Sequence, residues 1–462
     1  MNQASNDKVG ATLEDLQELD QKHHMHPFTA ASSLRQAPPF LIDKAEGCYV
    51  SGQGIQLLDM MAGLGCVNVG YGREELANTA QKAMKTLSYY HSFSAVSNPT
   101  AAALAGRIAA LAPEGMNKVF FANSGSEANE TVLKVIAFYW RQKGQPEKRI
   151  IITRDYAYHG STMATTALNG NAAMQEPFGI TEGPNVLRAA APFWYRDGGD
   201  MTPEEYGMAA ARSIEEKILE AGAENVAAVF VEPVQATMGA IVPPAGYFPE
   251  VERICRKHDV LLVADEVVTG LGRTGHWFAQ ETFGFKADIM TLAKGLSSGY
   301  CPISAAVLHD DVAAVIEAGE NVFQHGFTTS AHPVMAAVAL RNLDMIAEEG
   351  LVERIRDDIG PYFAEKLQLL TDSPIVGEVR SCGLIAGIEL VRDKETRTQY
   401  PIELALCEHV SQAALVRGVI VRATGNALVL CPPYIVTHEE IDTTVNVLRQ
   451  ALEDVHNAIM AE

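Results

Sequence analysis

The stretch Val260-Leu261-Leu262-Val263-Ala264-Asp265-Glu266-Val267-Val268 decides the fold. It is apolar and β-branched, too short for a typical helix, and closed by Gly270, so it reads as a buried strand. Two adjacent carboxylates, Asp265 and Glu266, stand where a sheet gives way to a loop. Twenty-nine residues after Asp265, the second short apolar run Ile289-Met290-Thr291-Leu292-Ala293-Lys294-Gly295-Leu296 ends in a lone lysine. An acid closing one strand and a lysine closing the next place opposite charges at one sheet edge. That edge is expected to be an active site, with Asp265 and Lys294 gripping two sides of one cofactor.

Outward from these runs, helix and strand patterns alternate. Helix 99–111 leads to the strand Lys118–Phe121, and after Asn123-Ser124-Gly125-Ser126 a helix places 128, 131, 132, 135, 136, 139 and 140 on one face. The strand Arg149–Ile152, helix 203–221, strand Ala227–Val231 and helix 249–258 continue the series. Strands separated by helices imply an α/β fold whose mostly parallel sheet is covered on both faces. Beyond about residue 330, long helices (332–348 and 350–371) and the strand Gly383–Leu390 indicate a second, α+β domain. Its last helix opens at Thr437-His438-Glu439-Glu440, a capping-box pattern, and stripes Ile441, Val445, Leu448, Leu452, Val455 and Ile459 along one side. Near the start, residues 12–22 suggest a helix capped by Thr12, and β-like segments over 47–59 turn at Gly52 and Gly54.

With 462 residues, 47% of them hydrophobic and 20% charged, the chain is long and apolar enough for a large globular core. Its 57 acidic against 36 basic residues give a net charge of −21, which disfavours nucleic acid and anionic membrane as partners. No apolar run is long enough to span a bilayer, and Met1–Gly10 is polar, without the apolar core of a secretory signal. Seven cysteines at irregular spacings, with no C-x-x-C pair, suggest reduced thiols and a cytoplasmic location.

Several short patterns bear on chemistry. Ser124-Gly125-Ser126 lies between a strand and a helix, where free N–H groups, hydroxyls and the helix dipole suit a phosphate, although ordinary capping uses the same residues. Gly270-Leu271-Gly272-Arg273-Thr274-Gly275 satisfies the dinucleotide fingerprint, but Asp265 and Glu266 would sit close to an incoming pyrophosphate and His276-Trp277-Phe278 makes a poor first helical turn; the dinucleotide reading is rejected. The glycine-rich run Asp59–Gly72 lacks the Lys-Ser/Thr ending of a phosphate-binding P-loop. His23, His24 and His26 crowd four residues, but no acid or cysteine completes a ligand set nearby, so no metal is expected and the segment reads as a loop lining something. Asp265 and Lys294 suit pyridoxal 5′-phosphate: the lysine forms a Schiff base with an aldehyde, and the aspartate keeps a pyridine nitrogen protonated so that the ring absorbs electrons.

Six motifs, in order, then carry a family resemblance: Asn123-Ser124-Gly125-Ser126-Glu127-Ala128-Asn129, Tyr158-His159-Gly160, Glu232-Pro233-Val234-Gln235, Asp265-Glu266-Val267, Lys294-Gly295 and His325-Gly326-Phe327-Thr328. Over nearly its full length the chain resembles the class III (omega) aminotransferases, and within them the pyruvate-dependent amine and polyamine transaminases, through Gly63-Leu64 before Cys66–Arg73 and through Lys294–Tyr300. The resemblance implies the fold type I architecture of pyridoxal-phosphate enzymes, with a mostly parallel seven-stranded sheet in a large domain and a smaller α+β domain. It implies a division into 1–65 (contributing to small domain and active site), 66–330 (large, cofactor-binding) and 331–462 (small, C-terminal), and a homodimer or tetramer. The implied reaction moves an amino group from a primary amine or omega-amino acid to pyruvate by a ping-pong mechanism.

The implied roles fall on numbered residues. Lys294 holds the cofactor and carries the proton, and Asp265 pairs with the ring nitrogen. Ser124, Gly125 and Ser126 cradle the phosphate, with Thr328 reaching it from a neighbouring subunit. Tyr158 stacks over the ring, beside His159; Glu232 supports the site near Asp265, and Gln235 sits near the phenolic oxygen. Arg422 matches a mobile arginine that pairs with substrate carboxylates. Close relatives commonly carry Trp or Tyr where this chain has Gly65, and Gly-Ala-Gly-Gly where it has Ala236-Thr237-Met238-Gly239, so the substrate pocket is expected to differ in shape around Gly65 and Thr237. Phe28, Tyr90 and Phe93 are the remaining candidate pocket aromatics. The alternatives are a fold type I aminomutase or dialkylglycine decarboxylase, and a pyridoxal-phosphate protein serving only as a binding or regulatory module.

Overall fold

A computed structural model describes residues 12–180, 185–319 and 321–461. The polar stretch Met1–Gly10, expected to carry no secretory signal, lies outside the described residues. The expected sheet is present with seven strands, in the spatial order Met116–Ala122, Ser304–His309, Ile289–Leu292, Leu261–Asp265, Val226–Val231, Ile150–Arg154 and Val186–Ala189. All neighbours run parallel except Ser304–His309, which is antiparallel to both of its partners.

The opening stretch is the centre of this sheet, and its period-2 alternation explains why it reads as continuously apolar. Leu261 and Val263 pack on one face with Val132, Val135, Ile136 and Trp140 of the helix Gly125–Gln142. Leu262 and Ala264 pack on the other with Ile214 and Ile218 of the helix Pro203–Ala221 and with Val251 and Ile254 of the helix Tyr247–Lys257. Both faces are covered, so every position is apolar. The strand itself stops at Asp265 rather than Val268, because Glu266 turns away into a loop.

Two strands escape the hydrophobic pattern. Ser304-Ala305-Ala306-Val307-Leu308-His309 is built largely of small residues that are poor strand formers, held by pairing on both sides. Val186–Ala189 is a four-residue edge. The expected helix 350–371 is interrupted: Leu351–Arg354, a π-helical turn Ile355–Ile359, Gly360–Gln368 and a 3-10 turn Leu369–Asp372. Pro361 has no N–H to continue the ladder, and the turn before it closes by Gly360 N–H donating to the Ile355 carbonyl.

Two smaller sheets complete the fold. Lys44–Glu46, Tyr49–Gly52 and Ile55–Asp59 form a meander joined in parallel by Val419–Ile420, which ties the N-terminal segment to the C-terminal third. Val376–Cys382, Ile385–Asp393, Ala427–Leu430 and Arg422–Thr424 form the other, with Thr398–Gln399 alongside Ile385–Asp393. The helix His438–Ala461 lays Ile441, Val445, Leu448 and Leu452 into the same core as Leu58, Met60 and Leu76, as its stripe predicts.

The rejected fingerprint Gly270–Gly275 has a structural task. Gly272 (φ +110°) and Gly275 (φ +88°) let the loop press against Tyr434 and the Arg356 backbone. Arg273, fully buried, donates to the Pro432 carbonyl and to Asn68 Oδ1 at 2.7 Å, and its guanidinium lies 4.6 Å from the Tyr434 ring centre. It thereby joins three distant chain segments. Replacing Arg273 by Met leaves buried carbonyl and amide oxygens unpaired and is expected to destabilise the protein by about 2–4 kcal/mol, read as a lowered urea midpoint.

Candidate active site

Strand alternation decides what each of the two adjacent acids does. Asp265 points to the same side as Val263, towards the helix Gly125–Gln142. There its Oδ2 accepts from Asn129 Nδ2 and from His159 Nδ1, both at 2.9 Å, while Oδ1 accepts from the Val267 N–H at 3.1 Å. Asn129 also donates to the His159 carbonyl, and the His159 N–H donates to Asn169 Oδ1. Glu266 points the other way and caps the short helix Ala279–Phe283, accepting from the Ala279 and Gln280 N–H groups and from Thr269 Oγ1. Burial pushes its carboxyl up to about 7 against those bonds, and it takes no place in the cavity. Of the two carboxylates in the opening stretch, only Asp265 lines the site.

Lys294 follows the next strand and stands at φ +40° as the first residue of a 3-10 turn, Lys294–Leu296. Desolvation lowers its amine, with Asp265 acting in the opposite sense. A cavity of about 520 Å³ is lined by both of these residues. Ser124, Gly125 and Ser126 stand at one side of it, where the helix Gly125–Gln142 begins; the Ser124 hydroxyl caps that helix by accepting from the Glu127 N–H. A side chain at Gly125 would bring its Cβ to 3.2 Å from Val267 Cγ1, a contact that Val267 would have to yield to. Ser126 Oγ accepts from the Ser161 N–H, which links the turn to the loop bearing Tyr158.

Tyr158, His159, Glu232 and Thr237 line the same cavity. The Tyr158 N–H donates to Glu232 Oε1 at 3.1 Å, and burial pushes the Glu232 carboxyl up to about 7. Gln235 is buried and donates to the Asp155 carbonyl, leaving its Oε1 without a partner; His159 Nε2 and Asn129 Oδ1 are likewise buried and unpartnered. Asn129, placed on the buried face of its helix, was not assigned a role from the sequence, although it stands within a quoted motif and is the amide that holds Asp265.

Other expected site residues are not among those lining the cavity. Phe28 is 82% exposed, and Tyr90 (50%) and Phe93 (42%) are on the surface, Phe93 with its ring against Gly326. Thr328 is exposed, and its carbonyl accepts from Tyr89 Oη at 2.8 Å. Arg422 is exposed on the strand Arg422–Thr424, opposite Val429. Gly65 is buried between the lining residues Leu64 and Cys66, and a Cβ there would meet Cys431 Sγ at 3.2 Å and Val268 Cγ1 at 3.7 Å. The expectation that no acid lies near the histidine cluster needs correction. Asp20, one turn back in the helix Leu13–His23, bonds both His24 and His26.

A nucleophilic amine with a lowered pKa, a carboxylate fixed by three donors, a helix start with open backbone and unpartnered buried polar atoms together fit pyridoxal 5′-phosphate. With the sheet order above, they define a fold type I pyridoxal-phosphate enzyme. Residues 30–452 match the family model described as aminotransferase class-III, and the chain belongs to that family of aminotransferases. It is 43% identical over 457 residues to a putrescine–pyruvate aminotransferase of Pseudomonas aeruginosa, covering 98% of this chain and 99% of that protein. An omega transaminase of Pseudomonas jessenii, solved in complex with PMP, superimposes with a TM-score of 0.93 at 39% identity, covering 96% and 98% of the two chains. A thermostable omega transaminase carrying a tryptophan-to-glycine change, engineered for asymmetric synthesis of enantiopure bulky amines, gives 0.93 at 39% identity, covering 96% and 100%.

Among the described residues, no helix is long and apolar enough to cross a membrane. Because the Glu232 carboxyl binds its proton more tightly folded than unfolded, it favours the folded state fully below about pH 4.5 and loses that contribution as pH rises through about 7. Cofactor-free Glu232→Gln is therefore expected to melt a few degrees above the parent at pH 8.5 and level with it at pH 4, measured by calorimetry.

Proposed function

We propose that this enzyme transfers the amino group of a primary amine or omega-amino acid to pyruvate, forming alanine by a ping-pong mechanism. The observation that carries the reading is the placement of the Lys294 amine and the Asp265 carboxylate in one cavity with the start of the helix Gly125–Gln142. The similarity to a putrescine–pyruvate aminotransferase supports the choice of amine donor and acceptor. Pyridoxal phosphate supplies an aldehyde to capture the amine and a protonated ring to hold carbanion electrons.

The chain's own residues would do the rest. Lys294, with its amine kept neutral more readily than in water, would hold the cofactor through its amine and would take up and return the proton at Nζ. Asp265, pinned by Asn129 and His159, offers an acceptor of fixed orientation to the ring nitrogen. Ser124, Gly125 and Ser126 would bind the phosphate at the helix start, Tyr158 and His159 would hold the ring, Glu232 supports the Tyr158 backbone, and Gln235 would offer its unpartnered Oε1. Arg422 receives a substrate carboxylate.

Thr328, Tyr90, Phe93 and Phe28 serve the site of a second copy, which the exposure of the three aromatics in a single chain supports; the assembly is a homodimer or a tetramer. The division into 1–65, 66–330 and 331–462 is retained, supported by the pairing of Ile55–Asp59 with Val419–Ile420. Seven free cysteines support a reducing, cytoplasmic location.

Gly65, between the lining residues Leu64 and Cys66, would leave room for a bulky amine; a similar omega transaminase was engineered for bulky amines by a tryptophan-to-glycine change. Lys294→Ala is expected to abolish turnover and the shift of the cofactor absorption band on adding amine, a shift that pyruvate reverses in the parent. Turnover by that variant would overturn the reading. A panel of β-alanine, taurine, putrescine and 1-phenylethylamine with pyruvate identifies the donor. In Gly65→Trp, kcat/KM for 1-phenylethylamine should fall by roughly tenfold or more, with putrescine little affected.

A further inference from the structure

We infer that Asp20, His24 and His26 form a binding site for one divalent transition-metal ion of the Zn²⁺ or Ni²⁺ type, which staples the N-terminal helix to the loop bearing Phe28. The helix Leu13–His23 ends as His24 turns extended (φ −103°, ψ 119°), and the chain doubles back at Pro27. His24 Nδ1 lies 3.0 Å from one Asp20 oxygen and His26 Nε2 lies 2.5 Å from the other, with the two imidazole centres 4.4 Å apart. One ligand atom from each residue falls within 4.8 Å of the other two.

A tetrahedral ion with bonds of about 2.0–2.1 Å holds neighbouring ligand atoms about 3.3 Å apart. The two imidazoles sit on opposite oxygens of the Asp20 carboxylate, and with one ligand atom taken from each residue the set already lies within 4.8 Å, so closing on an ion takes a shift of about 1–2 Å. His24, with a side chain 60% exposed, is free to make that movement, whereas Asp20 (19%) and His26 (22%) are sheltered. Two imidazoles and one carboxylate, with no thiolate, select borderline divalent ions and leave coordination positions for water; Ca²⁺ and Mg²⁺ prefer all-oxygen sets. Binding displaces the protons that now bridge each imidazole to Asp20.

The segment has a physical need for such a staple. The helix Leu13–His23 has no fully buried side chain, and besides Asp20 it is tied to the chain that follows through Gln17 Nε2 to the Pro39 carbonyl and Gln21 Nε2 to the Leu34 carbonyl. Phe28, two residues past His26, is held at φ +51°, a left-handed conformation costly for a bulky residue.

The test is titration of the holoenzyme with ZnCl₂ by calorimetry, with trypsin cleavage after Lys22 as a second readout. The parent should bind one Zn²⁺ per chain at this site and cleave more slowly at Lys22 with metal present. His26→Gln and Asp20→Asn should each weaken that binding by roughly tenfold or more and lose the protection, while His23→Gln retains both. Retained cofactor absorption shows that each variant is folded. The inference is overturned if the parent and His26→Gln bind Zn²⁺ alike, or if His23→Gln loses as much as His26→Gln.

Discussion

The buried carboxylate of Asp265 is the constraint around which the molecule is arranged. A carboxylate removed from water is costly unless its lone pairs are occupied by donors. Here the donors come from three places: Asn129 on a helix, His159 on a loop and the backbone of Val267 just past the strand. Each must be positioned before the acid can be buried, and each has its own support. Asn129 holds the His159 carbonyl, Asn169 holds the His159 N–H, and Ser126 holds the loop through Ser161. The helix that supplies Asn129 also presents its N-terminal end to the same cavity. Packing of that helix on the Val263 face of the sheet therefore sets both the donor that holds Asp265 and the turn that opens onto the cavity.

The same alternation makes the neighbouring Glu266 a structural group. Two adjacent acids on a strand lie on opposite faces, so only one can enter a given cavity. Glu266 closes the first turn of the helix Ala279–Phe283, and the glycine loop between them delivers Arg273 to Asn68 and Pro432. Asn68 in turn presses on Gly295, beside Lys294: a Cβ at Gly295 would come within 2.2 Å of Asn68 Nδ2. The loop that imitates a nucleotide fingerprint thus braces the lysine from behind.

The central strands, the covering helices and the Asp265–Lys294 pair were legible because burial on two faces and strand-end charges leave local signatures. Strand Ser304–His309 left none: its alanines are chosen by close packing between neighbours, a tertiary constraint that overrides propensity. Asn129 was invisible for a related reason, since an amide at a buried helical position reads as a break in an apolar stripe until its carboxylate partner is known. Asp20 leaves no such signature, because its relation to His26 depends on the chain leaving the helix at His24 and folding back. Phe28, Tyr90, Phe93 and Thr328 are exposed, away from the residues that line the cavity.

Pocket shape is governed by buried charges that never touch the cavity. The turn following Asp59 is fixed by that carboxylate, which accepts from the Met61 and Gly63 N–H groups and from Tyr71 Oη. The opposite wall, which carries Thr237, is fixed by Arg380, whose guanidinium donates to the Gly239 and Ala240 carbonyls and is neutralised by Glu378 and Glu389. Glu389, wholly buried, is shared with Arg196. Both backbones are thus pinned from outside the cavity. The bonds that hold these two turns share no residue with those that hold Asp265, so the cavity wall and the buried carboxylate are supported independently.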